Sequence, residues 1–282
     1  MTGLFSKCAG VLALAAVASS VAASEPESRQ DAAPAAQGEK DQAQAAWREV
    51  FPGIRINLVE KAVEFDGTVP VNAHTKAGLR VFLETTVCGY DSKEHESLVV
   101  TKAKPSQVHA ALLLIGLKPG KPGAWRREEK KWIGVPPEGD EVEVKFLLTA
   151  PDGTIREDDP AEWIVNERDG KPLSQVAPDA KWVFAGSKLA QKKPLPRAPG
   201  DGVGPEPKPP VENERNGPEF YVADVEGTLI GLTSFGTETI GLTAMYNPDN
   251  DKEAPQWVAS PEKTPEIGAK VTVRVSAKKG GA

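Results

Sequence analysis

Hydrophobic and polar residues alternate along much of the chain after residue 54, and this period of two is typical of β-strands. The alternation is clearest in Leu79–Val87, Glu141–Thr149 and Lys270–Val275. Asp66–Gly67 and Pro151–Gly153 are turn sequences that directly follow strand-like segments. The pattern therefore predicts a predominantly antiparallel β-sheet.

One segment has helical spacing instead. Pro105 suits the first position of a helix, and Gly116 suits its end. Between them the apolar residues recur every three or four positions, at Val108, Ala111, Leu112 and Ile115. We predict a helix over about residues 105–116, buried in the core because it is apolar on nearly every side. The fold class is then α+β, predominantly antiparallel β with one buried core helix, in a single domain over residues 47–277.

The N-terminal segment is typical of an export signal. Lys7 precedes the uninterrupted small and apolar run Cys8–Ala23, with small residues for cleavage near Ala22 and Ala23. We predict a signal peptide over residues 1–23, then a polar disordered tether over residues 24–46. The protein is expected in the periplasm or outside the cell. No later segment is long and apolar enough for a membrane span, so no membrane contact is expected beyond the export signal.

Charge and cysteine content narrow the classes of partner. The formal net charge is −6, and the basic pairs Arg126–Arg127 and Lys130–Lys131 are separated by Glu128–Glu129. This pattern argues against nucleic acid as a partner. After removal of the signal, Cys88 is the only cysteine, so no internal disulfide is expected.

A proline-dense stretch interrupts the strand pattern at residues 192–218. It is polar and has no periodicity, which is typical of a long, mobile surface excursion. We therefore place it as a loop within the single domain.

The reactive side chains lie in one stretch, Cys88–Gly120, which we call the signature block. Cys88 lies where a predicted strand opens into a loop, Lys93–Ser97 (KEHES) follows, and His109 lies in the first turns of the predicted helix. Cysteine, histidine and glutamate are ligands for zinc or copper, and the candidate set is Cys88, His95, Glu96 and His109. Their spacing matches no established metal signature.

Three functions remain open from these residues. The first is a non-enzymatic exported module that binds a metal ion or a small ligand at the signature block. The second is an enzyme with Cys88 as nucleophile or redox thiol and His95 or His109 as base. The third is a structural or partner-binding domain in which the charged residues form an internal polar network.

The same block resembles the YdjY-domain proteins. In that family a cysteine is followed by KEHES, a helix with HAALL, and G-x-K-P-G. The corresponding segments here are Cys88, Lys93–Ser97, His109–Leu113 and Gly116–Gly120. Further similarity is found at Trp163–Ile164, Trp182–Ser187 and Tyr221–Asp224.

The resemblance implies an exported bacterial protein of a family without an established activity, so it supplies no catalytic residues. It covers most of the chain from about Leu58 to Val275. The proline-dense stretch departs from the family, whose loop at this place is much shorter, and is therefore expected to be dispensable. A signature of Cys, Lys, Glu and His is not what packing alone requires, which favours a functional site.

Overall fold

Strands dominate the part of the chain that the computed structural model describes, residues 46–74, 82–129, 131–191, 218–246 and 256–278. The strands are β1 Trp47–Phe51, β2 Ile54–Asn57, β3 Ala62–Thr68, β4 Thr85–Gly89, β5 Ser97–Thr101, β6 Pro119–Lys121, β7 Ala124–Glu128, β8 Lys131–Val135, β9 Glu138–Gly139, β10 Glu141–Thr149, β11 Ile155–Asp158, β12 Ile164–Asn166, β13 Trp182–Val183, β14 Leu189–Gln191, β15 Glu219–Tyr221, β16 Thr228–Gly231, β17 Gly241–Leu242, β18 Trp257–Ala259 and β19 Lys270–Ala277. The helices are α1 Pro105–Leu114, α2 Pro160–Trp163, α3 Leu173–Val176 and α4 Val222–Glu226, with a 3₁₀ helix at Glu94–Glu96. The mainly β class predicted from the sequence is confirmed.

The main sheet closes on itself. Its strands follow the order β16-β4-β5-β3-β19-β10-β13-β17. Ile240, just before β17, pairs with Ile230 of β16, and the Gly231 N–H donates to the Ile240 carbonyl at 2.9 Å. The ring of hydrogen-bonded strands is thereby complete, so the sheet forms a barrel. The two edge strands, β16 and β17, meet at this pair and need no other element to cover them.

Alternation of side chains explains the long central strands. In β19 Val271, Val273 and Val275 are buried, whereas Lys270 is exposed. β19 pairs with β3 on one side and with β10 on the other, both antiparallel. The buried faces join one continuous core, whose largest fully buried side chains are Phe65, Phe146, Trp163, Phe184 and Trp257.

The predicted strand Leu79–Val87 is shifted in the structure. Residues 75–81 lie outside the described part of the chain, and β4 begins only at Thr85. Cys88 therefore lies inside the strand, where the backbone of β5 flanks it, rather than after the strand end.

The helix prediction needs a correction. α1 ends at Leu114 rather than at residue 116, and it is not buried on all sides. Val108, Ala111 and Leu112 are buried, whereas Leu113 and Leu114 are 46% and 55% exposed. The barrel covers one face of this helix, so its apolar character alone did not determine its burial. Three shorter helices, α2 to α4, accompany it in the described residues.

The strands that flank the proline-dense stretch pair with each other. β14 pairs antiparallel with β15, and Gln191 lies opposite Glu219. This pair of strands is not part of the barrel ring. Residues 192–217 themselves lie outside the described part of the chain.

The predicted signal peptide, and the tether up to residue 45, also lie outside the described residues. Within the described ranges, no helix combines the length and the apolar character that a membrane crossing requires.

Candidate functional site

The first part of the signature block is a short loop between two parallel strands. β4 and β5 are neighbours, with Thr85 opposite Ser97 and Gly89 opposite Thr101. Residues 90–96 must therefore return along the whole length of β4 in a single compact segment, where parallel strands usually use a crossover of about a dozen or more residues. The 3₁₀ helix Glu94–Glu96 lies in this loop and contacts both strands.

Cys88 lies beneath this loop. Its side chain is fully buried, and it forms hydrogen bonds with the side chains of Ser97 and Ser92 and with the backbone of Lys93. Burial raises the pKa of the Cys88 thiol above its ordinary value, and the hydrogen bonds only partly oppose this. Because the thiolate is the reactive form, the geometry keeps Cys88 as an unreactive neutral thiol at neutral pH.

Backbone hydrogen bonds hold the loop closed. The carboxylate of Glu94 accepts the N–H groups of Asp91 and Ser92. Together with the N–H of Glu94 itself, these bonds lower the pKa of the Glu94 carboxyl. Ser92 donates its hydroxyl to the Gly89 carbonyl at 2.6 Å, and the Gly89 N–H donates to the Gly227 carbonyl at 2.8 Å. The conformation of residues 89–94 is therefore fixed from both sides.

The remaining charged residues of KEHES form a polar network at the loop surface. The Nζ of Lys93 lies 3.4 Å from the Glu84 carboxylate and 3.6 Å from the centre of the Phe235 ring. Glu84 in turn forms a side-chain hydrogen bond with Glu96. Glu96 lies 3.2 Å from the Nε2 of His95, whose side chain is 71% exposed.

The Glu84 carboxyl gives a pH-dependent prediction. Burial, followed by the hydrogen bond with Glu96, raises its pKa in the folded protein above 4.5, although Lys93 opposes the shift. A raised folded pKa stabilises the protein below the unfolded pKa, and this contribution is lost as the pH rises through the folded value. We therefore expect wild type to lose stability relative to Glu84→Gln in urea denaturation as the pH rises above the unfolded value of about 4.3 and through the folded value.

Glu262→Gln, at an exposed position outside this network, is the matched control for that experiment. Its stability relative to wild type should change little over the same pH range. A wild-type protein that instead gains stability over Glu84→Gln as the pH rises would show that the Lys93 ion pair outweighs burial.

His109 belongs to a separate cluster. Its Nδ1 lies 2.9 Å from the Tyr221 hydroxyl, which also lies 3.0 Å from the Gly186 carbonyl. The imidazole packs edge-on against Phe184 and Tyr221, with ring centres 4.8 Å and 5.4 Å apart. Burial lowers the pKa of His109, so the ring is neutral at neutral pH. A hydrogen bond between His109 and the backbone of Gly186 only partly opposes this lowering of the pKa.

The structure divides the four candidate metal ligands between these two places. His95 and Glu96 contact each other on the loop, Cys88 lies beneath the loop, and His109 contacts Tyr221 and Phe184. Among the residues that the structure describes, no group of three or more His, Cys, Asp or Glu side chains could hold a metal ion. The chemistry expected from the residue types is therefore not accompanied by the convergence that zinc or copper requires.

A large cleft adjoins the signature block. It has a volume of about 900 Å³ and is lined by residues of β5, β3, β19 and β10, with the start of α1 at its side. Its lining includes the buried apolar residues Val100, Ala103, Leu147 and Val271 and the exposed Pro52 and Tyr90. Small-molecule sites commonly measure about 300–1,000 Å³.

Polar groups surround the cleft. Three exposed lysines line it, Lys102, Lys104 and Lys270. Hydroxyl groups come from Thr68, Tyr90, Thr101, Thr149 and Thr272. Apolar residues together with a few polar groups are the usual composition of a small-molecule site.

The closed loop of the signature block shapes this cleft. Tyr90 is the first loop residue after Gly89, and its hydroxyl lies 3.5 Å from the Thr68 hydroxyl at the cleft. Lys102 and Lys104 follow directly after β5, and Lys104 caps α1. The Ser106 N–H, in the first turn of that helix, donates to Asp224 at 2.7 Å, which anchors α1 to α4.

Comparison with known proteins identifies the family of this chain. A family model described as the YdjY domain matches residues 54–276. The chain therefore belongs to the YdjY-domain family, and the resemblance found in the sequence is confirmed. Neither a curated protein nor a solved structure matches the chain.

Proposed function

We propose that this protein is an exported, non-enzymatic module that binds a small organic molecule in the cleft beside the signature block. The observation that supports the proposal is the cleft itself, of about 900 Å³, which is lined by both apolar residues and polar groups. The proposed export depends on the N-terminal segment, where Lys7 precedes the apolar run Cys8–Ala23.

The position of the signature block favours a binding role. Seven of the seventeen residues that line the cleft belong to Cys88–Gly120, namely Tyr90, Val100, Thr101, Lys102, Ala103, Lys104 and Gln107. The KEHES residues do not line the cleft; they hold the loop from which Tyr90 extends. The charged KEHES residues then need no catalytic role, because they fix the shape of the binding site by holding the loop.

Thiol catalysis is less well supported by the same geometry. Cys88 is fully buried, does not line the cleft and has a raised pKa. A nucleophilic cysteine requires the opposite, an accessible thiol with a lowered pKa and a nearby base.

The test is a fluorescence titration with anilinonaphthalene sulfonate, a dye that emits strongly in apolar surroundings. Wild type should show saturable binding at one site. Thr149→Trp should weaken this binding by about tenfold or more, because exposed Thr149 lines the cleft and a tryptophan would fill it.

The matched control is Ile155→Trp. Ile155 pairs with Thr149 across β10 and β11, is 58% exposed and does not line the cleft. Its affinity for the dye should equal that of wild type. Absence of dye binding to wild type, or equal binding by Thr149→Trp and wild type, would refute the cleft as the binding site.

A further inference from the structure

We propose that the ligand of this cleft is an amphipathic organic anion, a molecule with one negatively charged group on an apolar body. This inference rests on the proposed binding function and specifies the class of ligand. Three lysines at the cleft would hold the charged group, and the exposed apolar lining at Pro52 and Tyr90 would hold the body.

The lysines approach the cleft from two distant parts of the chain. Lys102 and Lys104 follow β5, and Lys270 begins β19, two strands away in the sheet. Within the described residues, none of the three forms an ion pair with a carboxylate, in contrast to Lys93, which pairs with Glu84. Their ammonium groups are therefore available to a ligand.

One carboxylate also lines the cleft, that of Asp66. It accepts a hydrogen bond from the Thr272 hydroxyl at 2.9 Å, and Arg55 lies 3.8 Å from it. Because Arg55 partly balances this charge, the lining remains positive. The whole chain has a formal net charge of −6, so the cleft stands out against a negative background. A positive concavity of this kind concentrates anions from solution.

Apolar surface in the cleft adds a second requirement. Pro52 and Tyr90 line the cleft and are exposed, Tyr90 at 47%, whereas Val100, Leu147 and Val271 in the same lining are almost fully buried. An inorganic anion alone would leave this apolar surface in contact with water. An apolar body would cover it and gain the favourable free energy of apolar burial, which scales with the area removed from water. The combination selects an organic anion over phosphate or sulfate ions.

The experiment compares two dyes with nearly the same apolar rings. Anilinonaphthalene sulfonate has a negative charge, whereas phenylnaphthylamine is its neutral counterpart without the sulfonate. Wild type should bind the charged dye more tightly by about tenfold, since three exposed charge interactions each contribute modestly. Its affinity should fall as salt is raised over the range that screens exposed charges, and the affinity of the neutral dye should not fall.

The variants assign the preference to the cleft. Lys102→Gln, Lys104→Gln and Lys270→Gln combined should reduce affinity for the charged dye by about tenfold and leave the neutral dye unchanged. The matched control removes three exposed lysines that do not line the cleft, by combining Lys118→Gln, Lys188→Gln and Lys263→Gln. This control has the same net charge as the cleft variant. Because its substitutions lie outside the cleft, it should bind both dyes as wild type does.

Each outcome decides between the two proposals. Suppose that both dyes bind with equal affinity, that Thr149→Trp blocks both, and that neither the lysine substitutions nor salt change their affinity. The cleft then binds ligands, but the anion proposal is wrong. If neither dye binds wild type, the binding function itself is wrong. If the control variant loses affinity as much as the cleft variant, overall charge causes the preference and the proposal fails. The salt titration on wild type decides the question even if the triple variant does not fold.

Discussion

Cys88 in the folded protein should react with dithiodipyridine at least about a thousandfold more slowly than in the unfolded chain. The thiol is fully buried beneath the loop over residues 90–96, so a reagent reaches it only when the protein opens. Opening that costs about 5 kcal/mol, the lower end of ordinary domain stability, leaves roughly one molecule in several thousand accessible at any moment. The raised pKa of Cys88 slows the reaction further, because less thiolate is present.

The measurement uses the chain without residues 1–23, in which Cys88 is the only cysteine. The absorbance of the released thiopyridone is followed in buffer and in concentrated guanidinium chloride, with Cys88→Ser as the blank. Fast labelling of the folded protein would contradict the buried position and would favour the thiol-enzyme hypothesis over the binding module. Slow labelling would leave the signature cysteine with a structural role.

Such a result would also show why the sequence could indicate the position of the signature block but could not predict the chemical role of Cys88. The clustering of Cys88, KEHES and HAALL led us to place a candidate site there. The structure joins β4, the loop and β5, whereas His109 lies in a separate cluster. Residue type alone suggested metal ligands or a nucleophile. Whether Cys88 and His109 converge depends on which strands pair across the barrel, and the local pattern contains no information on that pairing.

The lining of the cleft also depends on strand order, which the local sequence pattern does not contain. Lys102 and Lys104 lie within the block, and their position after an apolar strand is a local signal of a charged strand end. Lys270 joins them because β3 lies between β5 and β19 in the sheet. Nothing near Lys270 in the sequence indicates this neighbourhood, so the positive lining could not be predicted without the strand order.

Local sequence patterns predicted the structure correctly where it depends on the residues of a single strand or helix. The alternation in Lys270–Val275 predicted β19, because each buried valine faces the same core. Pro105 correctly predicted the first residue of α1. The complete burial of α1 was predicted wrongly, because burial depends on how much surface the neighbours cover, and Leu113 and Leu114 remain without cover.

Gly227→Ala should destabilise the protein by about 3 kcal/mol, whereas Gly268→Ala should cost only about 1 kcal/mol. Both glycines have a left-handed backbone, with φ of 75° and 83°, and alanine is strained in this region at either position. Around Gly268 the added methyl group would meet open space. At Gly227 it would overlap the side chain of Ser92, which holds the loop by its bond to the Gly89 carbonyl.

Denaturation midpoints in urea for wild type and both variants would measure the difference. Ser92→Gly removes the overlapping atoms, so Gly227→Ala should cost about 1–2 kcal/mol less in that background, a coupling that a double-mutant cycle isolates. Equal costs for Gly227→Ala and Gly268→Ala would mean that the loop moves aside freely. A large coupling would instead establish that Gly227 and Ser92 lock the loop together, and with it the position of Tyr90 at the cleft.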